Sequence, residues 1–251
     1  LAAEAAKKAI TAAGISPEEI DCIVFSSVTP DHVMPSSACL LQEKIGTKNC
    51  MAFDLTAACS GFIYSMTIAH NFIQTGMYKH VLCVGSEVLS DFVDYTERTT
   101  CILFGDGAGA AVLSRAEPDE ESKIYSAHCY AEGKYGKLLY LPMGGSALPP
   151  SHEAIDANKH KVEMNGREIF KHAVRTMGRA AKEALEVNNM NYNDVDWFIP
   201  HQANVRIIEA VAKHIEFPKD KVVVEISDIV NTSAATIPIA LDRAIRDGRI
   251  Q

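Results

Sequence analysis

The chain has 251 residues, 47% of them hydrophobic, and a formal charge of −8. That is apolar material for one large core or two smaller ones, and the acidic balance argues against nucleic acid as a partner. No apolar run reaches membrane-spanning length, no secretory leader opens the chain, and seven scattered cysteines without a CxxC pair argue against a disulfide framework or zinc site, so a soluble protein of a reducing, cytoplasmic compartment is expected.

Residues 2–13 are good helix formers that stop at Gly14, and the chain opens inside this pattern at Leu1, without an initiator Met. A capped turn, Ser16-Pro17-Glu18-Glu19-Ile20, leads into a strand over Asp21–Ser27, a loop over Val28–Ser37 and a helix over about Ala38–Ile45. Met51–Leu55 reads as a short buried strand. The helix after it, carrying Phe62, Ile63, Tyr64, Met66, Ile68, Ala69, Phe72 and Ile73, is apolar on almost every side, as for a helix enclosed by protein. Cys59 falls where that strand becomes that helix, and unpaired N–H groups there favour a thiolate. Val81–Gly85 is another strand. Thr100–Phe104 and Ala108–Leu113 read as a hairpin about Gly105-Asp106-Gly107; with a strand following, these glycines do not make a dinucleotide site.

The second half repeats the first. A strand over Ile124–Tyr130 is followed by a helix around Ala180–Leu185, a turn, and the strand Asp194–Pro200, mirroring Ala5–Ile10 and Asp21–Phe25. Val222–Ile226 reads as a strand, then Asn231-Thr232-Ser233-Ala234-Ala235 and a helix to about Arg246. Asp21 to Cys59 is 38 residues and Asp196 to Asn231 is 35, which puts Asn231 in the second-half place of Cys59. The expected architecture is α/β, a duplicated layered fold with halves 1–115 and 116–251; by comparison of the repeats, it is a fragment short of one strand at the front and two or three at the back.

Strand ends of such folds carry ligands, and here they carry Cys59, His201 with Gln202 and Asn204, and Asn231. A Cys and a His can form an ion pair that activates the thiol, as in papain-like proteases, but the duplicated setting fits other chemistry better. A thiolate that carries an acyl group, with a His N–H and an Asn amide holding an enolate oxygen, serves carbon–carbon bond formation between thioesters.

Five stretches, Asp54–Phe62 (DLTAACSGF), Phe104–Ala110 (FGDGAGA), Met164–Phe170 (MNGREIF), Pro200–Ile208 (PHQANVRII) and Asn231–Pro238 (NTSAATIP), together resemble β-ketoacyl-[acyl-carrier-protein] synthase III of the thiolase-like superfamily. The resemblance implies the thiolase-like αβαβα fold and a homodimer that needs no cofactor, with acyl-CoA as substrate. Cys59 would take an acyl group, commonly acetyl, and His201 and Asn231 would support decarboxylation of malonyl on acyl carrier protein. It implies further that Arg98, Phe170, Asn204 and Arg206 line the CoA entrance and pantetheine tunnel, and that Met34 crosses the dimer interface to close the partner's acyl pocket. Phe170 reads equally as a core aromatic. Lys171, Arg175, Arg179 and Lys182 recur at helical spacing, with Arg206 and Lys213 on another helix; they form either a patch for the acidic carrier protein or a solvated face.

The other histidines show no metal-ligand spacing, and no metal is expected. Val230 stands where the family carries Gly, and a β-branched residue resists positive φ, which would displace Asn231. The alternatives are a starter-unit or secondary-metabolite condensing enzyme and a non-catalytic partner subunit. Thiolase would call for a second catalytic Cys. A hydroxymethylglutaryl-type synthase would need a Glu acid such as Glu87 or Glu97, from which the motifs HQAN and NTSAA point away.

Overall fold

The computed structural model describes residues 1–117, 119–120 and 122–250; Pro118, Glu121 and Gln251, the last of them the end of the expected second half, lie outside the described residues. The first half runs α1 (Ala2–Ala12), β1 (Cys22–Ser26), α2 (Ser37–Ile45), β2 (Met51–Leu55), α3 (Gly61–Gln74), β3 (His80–Val88) and β4 (Asp106–Ser114). These strands form one sheet in the order β2-β1-β3-β4. The inner strand β1 pairs parallel with both neighbours, Phe25 facing Asp54 on one side and Val84 on the other. Every residue of β1 is buried, as parallel strands covered on both faces require.

Helices α1 and α2 close one face through Ala6, Ile10, Leu41 and Ile45 against Ile23, Phe25, Leu82 and Val84. Helix α3 closes the other through Phe62 and Ala69 against Cys22, Val24, Val81 and Cys83. Two aspartates serve the backbone here. The carboxylate of Asp54 accepts from the N–H groups of Ser37 and Ala38 at 2.7 and 2.8 Å, satisfying the start of α2. Asp21 accepts from Lys79 and His80 at 2.7 and 2.9 Å, joining β1 to the approach of β3.

The second half contains β5 (Leu139–Tyr140), α4 (His152–Asp156), β6 (Glu163–Met164), α5 (Gly166–Val187), α6 (Val205–His214), α7 (Ile226–Ile229) and α8 (Thr236–Arg246). Helices α5 and α6 meet at Gly178, where an added Cβ would lie 2.4 Å from the His214 ring.

Several expectations change. Thr100–Phe104 is not a hairpin arm: 100–103 form turns, Phe104 pairs with Asn231 of the other half, and β4 pairs antiparallel with β3. Val222–Ile226 and Asp194–Pro200 are not strands but meet at a single bridge, Phe198 with Val222, and Ile124–Tyr130 has no strand pairing among the described residues. The buried Gln202 stitches the first two together instead, donating to the carbonyls of Pro200 and Val223 at 2.8 and 3.1 Å and accepting from the Glu225 N–H at 2.8 Å. Strand β2 is an edge strand, exposed at Met51 and half-buried after it, and α3 is fully buried only at Gly61, Phe62, Ser65 and Ala69.

The duplication also has a different register. Turns and helix boundaries of the two halves coincide at a spacing of 175 residues: Pro17 with Tyr192, Ala12 with Val187, Ala58 with Ser233 and Gly61 with Thr236. Ala58 and Ser233 even share a positive φ, 45° and 48°. The second-half counterpart of Cys59 is therefore Ala234, and Asn231 matches Thr56.

The halves meet at glycines of the sheet. An added Cβ on Gly85 of β3 would lie 2.4 Å from the Ala234 carbonyl oxygen, and one on Gly109 of β4 would lie 2.8 Å from Pro238. Only hydrogen at those positions lets the turn before α8, and the first turn of α8 itself, reach the sheet. Gly85→Ala should therefore destabilise the protein by about 1–3 kcal/mol, while Gly133→Ala, where an added Cβ meets nothing within 4 Å, should leave the thermal midpoint unchanged. Equal melting curves for the two variants would contradict this packing.

Candidate active site

Strand β2 delivers the chain to a 3-10 turn, Ala58–Ser60, that runs directly into α3. Ala58 holds φ at 45°, uncommon for a residue with a Cβ, and this bend presents Cys59 to a cavity of about 170 Å³. Val28, Leu89, Phe92, Phe104, Leu139 and Leu141 make its wall largely apolar, and Ser233 of the second half also lines it. Burial opposes the easing of ionisation expected at a helix start, pushing the Cys59 thiol up to about 11 against the pull of the Ser233 hydroxyl, and the negative charge of Glu87 adds to the rise.

Glu87 is itself buried, one carboxylate oxygen accepting from Ser27 Oγ, Val28 N–H and Thr29 Oγ1 at 3.1, 3.0 and 2.8 Å. Those bonds tie down the loop that supplies Val28 to the cavity.

His201 and Asn231 are gathered by one turn. Asn231 is paired on both backbone groups, its N–H to the Leu103 carbonyl at 3.0 Å and its carbonyl to the Gly105 N–H at 3.1 Å. Its side-chain oxygen accepts from the Ser233 N–H at 2.9 Å, which leaves the amide NH₂ as the free end. His201 Nδ1 lies 2.6 Å from Thr236 Oγ1. Burial pushes the His201 imidazole down to about 4, so it is neutral near pH 7 and forms no ion pair with Cys59.

Val230 does adopt a positive φ, 46°, with its Cγ2 set against Gly105, where an added Cβ would lie 2.4 Å away. Both backbone bonds of Asn231 are nonetheless made. The positive φ is taken up at residue 230, and the backbone of Asn231 stays paired with Leu103 and Gly105.

The remaining predicted positions lie further out. Arg98 is exposed in the turns after Asp94. Phe170 on α5 is 37% exposed, so it is not a core aromatic, and Met34 is 80% exposed. Asn204 caps α6, accepting from the Arg206 N–H at 2.8 Å. Lys171, Arg175, Arg206 and Lys213 are exposed, with Lys171 2.7 Å from Glu168. Ser233, Thr236 and the apolar wall were not singled out from the sequence, although the first two sit inside the NTSAATIP stretch. Among the described residues no three His, Cys, Asp or Glu side chains gather as a metal group, and no helix is long and apolar enough to cross a membrane.

Comparison with known proteins gives a consistent result. The family model for 3-oxoacyl-[acyl-carrier-protein] synthase III matches residues 53–133, and the model for its C-terminal part matches 185–251. The β-ketoacyl-[acyl-carrier-protein] synthase III of Clostridioides difficile (strain 630) is 49% identical over 251 residues, 100% of this chain and 76% of that protein. The crystal structure of 3-oxoacyl-[acyl-carrier-protein] synthase III from Aquifex aeolicus VF5 superposes with a TM-score of 0.91 at 45% identity, covering 100% of this chain and 76% of that one. A priming β-ketosynthase from the R1128 polyketide pathway superposes with a TM-score of 0.87 at 32% identity, covering 100% and 73%.

Two outcomes follow from the geometry. Val230→Gly should remove strain worth about 1–3 kcal/mol, partly offset by the freedom glycine gains when unfolded, for a net rise in thermal midpoint; a clear fall would contradict the strain. Alkylation of Cys59 by iodoacetamide, followed by peptide mass spectrometry, should keep rising about tenfold per pH unit to near pH 10. A plateau by pH 8 would show a thiol ionised far more easily than this burial allows.

Proposed function

The chain belongs to the 3-oxoacyl-[acyl-carrier-protein] synthase III family, condensing acyltransferases that initiate fatty-acid synthesis, and we propose that its cycle runs on Cys59 with acetyl-CoA as donor and malonyl-acyl carrier protein as acceptor. In the first half-reaction Cys59 Sγ attacks the acyl-CoA carbonyl, the bond to the CoA sulfur breaks, and the thiol proton leaves with that sulfur. In the second, malonyl loses CO₂ and its electron pair moves onto the thioester oxygen, held by the N–H of His201 and the NH₂ of Asn231. The carbanion then attacks the acyl carbonyl on Cys59. The 3-oxoacyl product forms, and the released thiolate takes a proton from solvent.

One observation carries this reading: Asn231 has its carbonyl end occupied by the Ser233 N–H, on the turn that also lines the Cys59 cavity. That leaves a donor rather than an acceptor for the thioester oxygen. A base-assisted mechanism would need a chargeable imidazole, and His201 stays neutral down to about pH 4.

The same reading gives the outlying residues work. Arg98, Arg206, Asn204 and Phe170 receive the CoA arm, and exposed Met34 reaches into the acyl pocket of a second copy in a homodimer. Lys171, Arg175, Arg206 and Lys213, on the packed pair α5 and α6, receive the acidic carrier protein, with Lys171 partly neutralised by Glu168. The acidic chain with its free thiols would work in the cytoplasm. The apolar cavity of about 170 Å³ exceeds what an acetyl group fills, and this favours a longer or branched starter as the second reading.

Incubation with radiolabelled acetyl-CoA should put label on Cys59 and none on Cys59→Ala. His201→Ala and Asn231→Ala should label normally yet lose about 10²–10³ in condensation. Label from longer or branched donors alone would select the second reading, and no label from any donor on folded protein would overturn the assignment.

A further inference from the structure

Thr236 is fully buried at the start of α8, and its hydroxyl lies 2.6 Å from His201 Nδ1 and 3.1 Å from the Ser233 carbonyl oxygen. A hydroxyl has one proton to give. Donation to Ser233 would force Nδ1–H to donate to Oγ1 and leave Nε2 as a bare lone pair. Donation to Nδ1 leaves Nε2 carrying the ring proton.

Two features choose between them. The Ser233 carbonyl already accepts from the Thr236 backbone N–H, so it does not depend on the hydroxyl. The 2.6 Å separation also falls below the usual range for a donating N–H, about 2.7–3.2 Å, and inside that for a donating O–H, about 2.5–3.0 Å.

Resting on the condensing role given above to His201, we propose that Thr236 is a positioning residue: its hydroxyl donates to Nδ1 and locks His201 in the Nε2–H tautomer, a donor for the enolate oxygen and not a base for Cys59. The two half-reactions then depend on it unequally. Acyl transfer sends the Cys59 proton to the departing CoA sulfur and does not call on His201. Decarboxylation needs Nε2–H in place, because a lone pair there would face the developing negative charge. Ser233 becomes common to the whole arrangement: its N–H orients Asn231, its carbonyl terminates the turn, and its hydroxyl, without a nitrogen or oxygen partner among the described residues, sits beside the Cys59 thiol.

The test compares wild type, Thr236→Val, which keeps the shape and removes the hydroxyl, and Thr236→Ser, which restores it. With histidine labelled by ¹⁵N, the His201 ring in wild type and Thr236→Ser should show the Nε2–H pattern, and in Thr236→Val should shift toward Nδ1–H. Malonyl-CoA decarboxylation should fall about 10²-fold in Thr236→Val, in kcat and not KM, and recover in Thr236→Ser, while acetyl label still reaches Cys59. An unchanged tautomer in Thr236→Val, or equal loss of both half-reactions without rescue by serine, would overturn the proposal. If Thr236→Val does not fold, an Nδ1–H pattern in wild type or Thr236→Ser would still overturn it. Wild type that neither labels nor decarboxylates would sink the functional reading instead, and the NMR pattern would still decide the role of Thr236.

Discussion

The site depends on one close approach, that of the Asn231–Thr236 turn to the glycine-bearing faces of β3 and β4. Ala234 presents its carbonyl where a Gly85 side chain would be, and the backbone of Asn231 is pinned between Leu103 and Gly105. That contact has little slack, and a shift of the turn would move Asn231 and Thr236 together, lengthening the bonds from Ser233 to Asn231 and from Thr236 to His201. The apolar core behind it, with Ile23, Val24, Leu82 and Val84 fully buried, gives the rigid floor against which the turn is held.

Rigidity matters because the proposed chemistry is carried out by neutral groups. Burial raises the Cys59 thiol and lowers the His201 imidazole, so both changes favour the uncharged pair over a thiolate–imidazolium. An ion pair would keep its attraction through small errors in position, whereas a hydrogen-bond donor aimed at an enolate oxygen works only when it is aimed well. Fixing Asn231 and His201 through their far ends, at Oδ1 and Nδ1, achieves that aim without placing a charge in the pocket.

Much of this was legible in the sequence, but unevenly. Where hydrophobic period and capping residues agree, as in α1, β1, α2 and α8, the elements fall within a residue or two of expectation. The misreadings share a cause: pairing partners distant in sequence. Thr100–Phe104 looked like a hairpin arm because its neighbours are glycines, yet those glycines serve the approach of the other half. Val222–Ile226 has strand composition but finds one bridging partner, and the side chain of Gln202 does the work of a ladder. Cys59, His201 and Asn231 stood out by residue type. Thr236 did not, because its part comes from lying 2.6 Å from a ring nitrogen 35 positions away.

Strain marks the same place. Among the described residues, positive φ without glycine occurs at Asn49, Asn158 and Asn189, where asparagine tolerates it, at Glu216 after α6, and at Ala58, Val230 and Ser233. Ala58 and Ser233 line the Cys59 cavity and Val230 directly precedes Asn231, and each costs on the order of 1–3 kcal/mol that the surrounding contacts must offset. Ala58 and Ser233 are equivalent in the duplication, so the bend belongs to the shared architecture. Each half uses it to stop a segment short and turn at once into a helix. In the first half the residue after the bend is Cys59, the nucleophile of the proposed cycle. In the second half that residue is the buried Ala234, whose small side chain and carbonyl allow the seam with Gly85, and the polar groups move to its flanks at Asn231, Ser233 and Thr236. On the proposed cycle the halves divide one geometry between them, attack on one side and hydrogen-bond donation on the other.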